Sequence, residues 1–433
     1  MKYRTLKYVA ARRGSFGLTA LAALATLLAI PSGVAAGANL LIRNATVHTV
    51  SASAKGPLTQ TDVLIRDGRI AEIGRSLSAP ADVRVIDAAG KAVTPGIFGG
   101  VGHVGVQEIG LEETTGDQSQ RLGQIRPEFD VTLAYNPDSM AVGVHRVNGT
   151  TFAMVAPAAA SGSIVAGLGA AVGLDGSLSA GPRAMFIDLG GDANDLAGGS
   201  RAAQFMLLRQ AVVEARAPNL VMVHDERLLT PSGRQTLLEF LKGAGPFVFH
   251  VDRAVDIRRT IEFVREEKIR AIIRGGSEAW RVAPELAAAG IAVVVDPLDN
   301  LPSGFDNIGA TMLNAARLRA GGVTVAISMR DTDNDDAGKV RQAAGNAVAR
   351  GLPWNDALAS ITRVPAEMFG VADRFGSIER GRIADLVLWS GDPLDVSSLP
   401  ELVVASGTEQ PLNSRQTALR DRYFERVKQG AAR

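Results

Sequence analysis

The chain has 433 residues, with 46 Lys and Arg against 45 Asp and Glu, a formal net charge of +1. That balance, with aromatics at 5%, argues against a nucleic-acid surface, which needs a basic excess and stacking rings. Cysteine is absent and there are only 5 histidines, so thiol nucleophiles, disulfides and thiolate metal sites are excluded and any imidazole chemistry rests on few residues.

Lys2, Arg4, Lys7, Arg12 and Arg13 form a positive leader before an apolar run at 17–30, followed by Pro31 and the small residues Ala36-Gly37-Ala38. This is the pattern of a cleaved export signal, because the run falls short of the about 20 residues that span a bilayer. Residues 1–38 are expected to be removed, leaving a periplasmic or otherwise exported protein with no membrane anchor; an uncleaved anchor is the alternative. From 39 the pattern is strand-like. Thr46 to Val50 alternates, and 62–65 and 69–74 flank Asp67-Gly68, a hairpin turn. With a short strand at 83–86, residues 39–93 read as a small β unit.

Between 94 and 372 short apolar strands (151–155, 247–250, 271–273, 291–295, 323–327) alternate with helix candidates (253–268, 277–289, 308–320). Alternation at this spacing predicts a parallel α/β architecture, best accommodated by a barrel. The Gly-rich stretch 162–173 does not fit a phosphate-cradling pattern and reads as ordinary loop. Strand chemistry resumes at 384–389 and 402–404, within 373–412, so the two terminal β pieces are expected to pair into one composite sandwich. Residues 413–433 hold a closing amphipathic helix from Ser414 to Lys428.

Three stretches carry a resemblance. Asp62-Val63-Leu64-Ile65-Arg66-Asp67-Gly68-Arg69-Ile70 leads to Ile86-Asp87-Ala88 and Thr94-Pro95-Gly96-Ile97. Val147-Asn148-Gly149-Thr150-Thr151 follows, and Pro365-Ala366-Glu367 runs to Gly376-Ser377-Ile378-Glu379-Arg380-Gly381-Arg382-Ile383-Ala384-Asp385-Leu386-Val387. In this order they resemble the imidazolonepropionase-like exported branch of the amidohydrolase superfamily. The resemblance implies a distorted (β/α)8 TIM-type barrel with a composite β-sandwich. It also implies hydrolysis of carbon–nitrogen bonds in small molecules by metal-activated water, whose pKa a divalent ion lowers to about 7.

The family's ligands are a His-x-His pair after the first strand, Lys or Glu on the fourth, His on the fifth and sixth, and Asp on the eighth. Here only His103 and His250 stand at such positions. Val101, Phe186, Gly275 and Arg330 occupy the others, with Asp331 next in sequence. The resemblance thus assigns metal binding, zinc being the first choice, to His103 and His250, help from Asp331, and stabilisation of an anionic substrate or oxyanion to Arg330. Each histidine has the plainer reading of a structural residue bonded to backbone at the barrel mouth, and a guanidinium at Arg330 would repel a divalent ion. The alternative is a non-catalytic relative that binds a ligand or pairs with a complete, homologous amidohydrolase subunit. His48 reads as structural, His145 as a packing or surface residue, and His224-Asp225-Glu226 and the acidic run at 331–336 as loops.

Overall fold

The computed structural model describes residues 37–431 apart from 111, 124, 218–226 and 331–335. The basic N-terminal stretch with its apolar run, the His224 cluster, Asp331 and most of the acidic run lie outside the described residues. Strands β1 (Leu40–Val47), β2 (Leu58–Arg66), β3 (Arg69–Gly74), β4 (Arg84–Asp87) and β5 (Ala92–Pro95) open the chain. β2 and β3 form the expected hairpin through Asp67 and Gly68, both at positive φ (49° and 73°), the two-residue turn whose twist matches its strands. β1 pairs with β2 on one edge and with both β4 and β5 on the other.

Eight strands then form a second sheet in chain order: β6 (Ile97–Gly102), β7 (Thr150–Val155), β8 (Val165–Gly173), β9 (Ala180–Asp188), β10 (Phe247–Val251), β11 (Ala271–Gly275), β12 (Ala292–Val295) and β13 (Val325–Ile327). The seam between β13 and β6 is bridged by the Val101 N–H donating to Ser328 Oγ at 2.9 Å, so the barrel is nearly closed. The helices are α1 (Met140–Arg146), α2 (Arg201–Arg216), α3 (Pro231–Leu241), α4 (Ala254–Glu267), α5 (Ala283–Ala289), α6 (Asn314–Ala320), α7 (Val340–Ala349), α8 (Trp354–Ser360), α9 (Arg363–Met368) and α10 (Arg415–Ala431). Local chemistry sets their ends: Thr230 accepts from the Gly233 N–H ahead of Pro231 in α3, and left-handed Lys268 closes α4.

One strand departs from the sequence reading. The stretch read as a Gly-rich loop is β8, antiparallel to both β7 and β9. Hairpin connections are short, whereas a parallel return needs a crossover of about a dozen residues, and no helix intervenes between β7 and β9. Small residues let β8 fit there: a Cβ on Gly169 would stand 2.3 Å from the Val155 carbonyl oxygen and 2.9 Å from the Phe186 ring.

The chain returns through β14 (Leu386–Trp389), β15 (Pro400–Ala405) and β16 (Thr408–Gln410). β14 pairs antiparallel with β5, Leu386 opposite Pro95 and Val387 opposite Thr94, so both ends of the chain build one sheet over Ile42, Val63, Ile65, Val93, Leu386 and Val404. His48 belongs to this region as a structural residue, its ring 4.7 Å from Trp354. His145 is buried on α1.

Candidate functional site at the barrel mouth

Inside the barrel, Phe98, Phe152, Phe186, Val248, Ile272, Val294 and Ala326 form one buried cluster. Their sequence neighbours Ile187, Phe249, Ile273, Val293 and Ile327 belong instead to the core that includes the surrounding helices. Residues two apart on a strand share a face, so the next inward layer is Asp188, His250, Arg274, Asp296 and Ser328, joined by His103 beyond β6. It is polar throughout. Register places His250 opposite Asp188 on β9 and opposite Arg274 on β11.

His250 Nδ1 lies 3.4 Å from Asp188 Oδ1. That contact favours the tautomer with the proton on Nδ1 and the lone pair on Nε2. Gly275, at φ +86°, keeps the space beside the ring open, because a Cβ there would stand 2.8 Å from Asp252 Oδ1 and 3.3 Å from His250 Nε2. His103 is buried, with Nδ1 3.0 Å from the Ala156 carbonyl oxygen. Burial, and then the charge of Arg274, press its pKa down to about 4, so at neutral pH the ring is uncharged. Burial likewise lowers the pKa of Arg274, while Asp188 and Asp252 pull it the other way; a guanidinium stays charged regardless.

Above this layer Arg330 is tied down. Its Nη1 donates to Asp252 Oδ2 (3.0 Å), and its Nη2 donates to Asp252 Oδ1 (3.2 Å) and Asp299 Oδ2 (2.7 Å). The Ser277 hydroxyl lies between, 2.8 Å from Asp252 and 2.6 Å from Asp299. Burial pushes the Asp252 pKa up, but the neighbouring His250, the charge of Arg330 and the bonds from Arg330 and Ser277 hold it below the usual carboxylate range. Asp296 is shifted upward by burial although it accepts from the Leu298 and Arg330 backbone N–H groups.

Of the residues singled out from sequence, His103, His250 and Arg330 all reach the mouth, and Asp331 lies outside the described residues. Three alignments need correcting. Phe186 is 3% exposed in the apolar layer, and the fourth-strand residue level with His250 is Asp188. On the sixth strand that residue is Arg274, not Gly275, and on the eighth it is Ser328, with Arg330 one step above it. Asp188, Arg274, Asp296 and Asp299 were missed; the i, i+2 step along each strand from its buried apolar residue was the signal that could have found the first three.

Whether these groups fit a divalent metal follows from their chemistry. A catalytic zinc site takes three protein donors and an open position, and among the described residues no three His, Asp or Glu side chains stand together so as to hold one. The guanidinium of Arg274 shares the layer with both imidazoles, and like charges a few ångströms apart repel. The described residues do not fit a divalent ion.

Residues 249–414 match the amidohydrolase family model. The chain is 43% identical over 74 residues to a dihydroorotase of Pelobacter propionicus, and 47% identical over 60 residues to the amidohydrolase tasK of Hapsidospora irregularis. These matches take in 17% and 14% of this chain and only 16% and 6% of the length of those relatives. The solved structure of an amidohydrolase from Thermotoga maritima MSB8 is similar over 86% of this chain and 99% of that one, with a TM-score of 0.75 and 26% identity. Residues 249–414 thus carry the match to the amidohydrolase family, and most of the chain shares the fold of the Thermotoga maritima amidohydrolase.

Proposed function

We propose that the protein is a hydrolase of the amidohydrolase type that cleaves a carbon–nitrogen bond of a small amide at the barrel mouth, using side chains to activate water. The observation that carries this reading is the row Asp188, His250 and Arg274, side by side on β9, β10 and β11. In this reading Asp188 orients His250, whose Nε2 takes a proton from water as the water oxygen adds to the carbonyl carbon. The carbonyl oxygen becomes an oxyanion facing the Arg274 guanidinium. The proton on Nε2 then passes to the departing nitrogen as the carbon–nitrogen bond breaks, giving a carboxylic acid and an amine. Arg330 holds Asp252 and Asp299 and acts on the site through them. The names of the curated relatives, dihydroorotase and amidohydrolase, support the amide substrate class.

The test is a hydrolysis assay on a panel of small amides that includes dihydroorotate, with and without a chelator. Turnover unaffected by chelation, and reduced about 10²–10⁴-fold by His250→Ala, is the expected result. Turnover lost on chelation and restored by zinc would return the site to metal-activated water held by His103 and His250. No turnover on any amide would favour a non-catalytic barrel that binds a ligand or pairs with a homologous amidohydrolase subunit; the ties that immobilise Arg330 favour that second reading. We also propose export. The basic leader and apolar run support it, and the check is an N-terminus near residue 37–39 in protein recovered from the periplasm. No helix among the described residues is long and apolar enough to cross a membrane.

A further inference from the structure

We infer that Arg274 supplies the resident cation of the barrel mouth, and that its guanidinium is what keeps the two histidines from acting as a metal site. The inference deepens the proposed site and rests on its metal-free reading. Three observations support it. Arg274 faces inward, in register with His250 and two residues beyond Ile272 of the apolar layer. Its Nη2 lies 3.5 Å from the Arg330 carbonyl oxygen, which places the guanidinium at the mouth. The two imidazoles are arranged as metal-binding ones are: each presents Nδ1 to an oxygen, His103 to the Ala156 carbonyl at 3.0 Å and His250 to Asp188 at 3.4 Å. Outer partners of this kind fix the tautomer and leave Nε2 as the donor nitrogen.

The mouth therefore keeps the outer support of a metal site while the inward position on β11 carries a positive charge in place of a donor. A guanidinium there offsets part of the negative charge of Asp188 and Asp252, the carboxylates that act on it, which is the electrostatic work a divalent ion would otherwise do. With one cation already held inside, the second is bound outward by Asp252 and Asp299 (3.0 and 2.7 Å).

The test is metal binding, read without any substrate. Wild type, Arg274→His and Arg274→Gln are purified metal-free and titrated with Co²⁺, following visible absorption and the shift in Tm. Arg274→His replaces the charge by a third imidazole level with His250, and Arg274→Gln removes the charge alone. The expected result is one equivalent of Co²⁺ bound by Arg274→His at least about 100-fold more tightly than by wild type, the scale set by deleting a unit charge a few ångströms from a divalent ion. Arg274→Gln is expected to fall between the two, and adding His250→Ala to Arg274→His is expected to abolish the gain. If Arg274→His does not fold, Arg274→Gln binding tighter than wild type still supports the inference. Either variant binding no more tightly than wild type overturns it, as does wild type holding one equivalent of Co²⁺ through His103 and His250. Because no turnover is measured, this inference and the hydrolase reading can fail separately.

Discussion

The apolar layer at Phe186, Val248, Ile272 and Val294 and the polar layer at Asp188, His250, Arg274 and Asp296 are one pleat repeat apart on β9, β10 and β11 and at the end of β12, which Asp296 follows. The lower layer is filled by ring and branched side chains, and the upper one holds charge in a network of carboxylates, guanidinium groups and imidazoles. The contrast shows how little of a strand decides function. A shift of two residues exchanges packing for chemistry, and a shift of one turns the side chain outward against the helices. Substitutions in the two layers should therefore separate stability from activity.

Phe186→Ala gives the largest stability effect. Its ring is 3% exposed inside the barrel, and truncating a buried Phe costs about 3–5 kcal/mol. The urea midpoint should fall accordingly, while turnover per folded molecule at low denaturant stays near that of wild type. A small stability loss with a large activity loss would place Phe186 at the mouth and break the two-layer assignment. Gly275→Ala gives a smaller stability effect together with an effect on the polar layer. Its φ of +86° disfavours a side chain, and the added Cβ would press on Asp252 and His250. Backbone strain of about 1–3 kcal/mol should appear as a lower Tm, together with loss of hydrolysis. An unchanged Tm would mean that the turn after β11 differs from the one described.

The scaffold was legible because its signals are local and repeated. Asp67-Gly68 specified its hairpin, and the flanking β segments paired through β5 and β14 as expected of chain ends that share a pattern. The site was legible only where a rare residue marked it. His103 and His250 stand out in a chain with 5 histidines, but aspartate and arginine are common, and Asp188 and Arg274 acquire meaning only once strand ends are known. β9 begins at Ala180 and β6 is irregular around Gly99-Gly100, so register could not be counted from motif to motif. β8 escaped because most of its buried positions, apart from Val165 and Val172, are filled by Gly and Ala, which lack the branched side chains that announce a strand.

The subtlest contrast is between two buried ionisable groups at opposite ends of the barrel. His103 at the mouth has its pKa pressed from 6.5 to about 4, by burial and then by Arg274. Asp385, joining the sheet of the chain ends to the barrel, accepts from Thr151 Oγ1 at 2.7 Å and from the Ser406 N–H at 3.2 Å. Burial nonetheless raises its pKa from 3.8 to about 7. For His103 the unfolded chain takes up a proton that the native state refuses, so its contribution is present above pH 6.5 and is lost as pH falls toward about 4. For Asp385 the native state keeps a proton that the unfolded chain releases, so its contribution is present below pH 3.8 and is lost as pH rises toward about 7. Over the shared window the slopes are opposite, each at most about 1.4 kcal/mol per pH unit, and these two contributions largely cancel in wild type. Asp385→Asn should leave a protein that loses stability on acidification more steeply than wild type between about pH 6.5 and 4.5. His103→Gln should do the reverse over the same range. Urea midpoints across that range decide the matter: if both variants run parallel to wild type, neither group is held in the protonation state its burial implies.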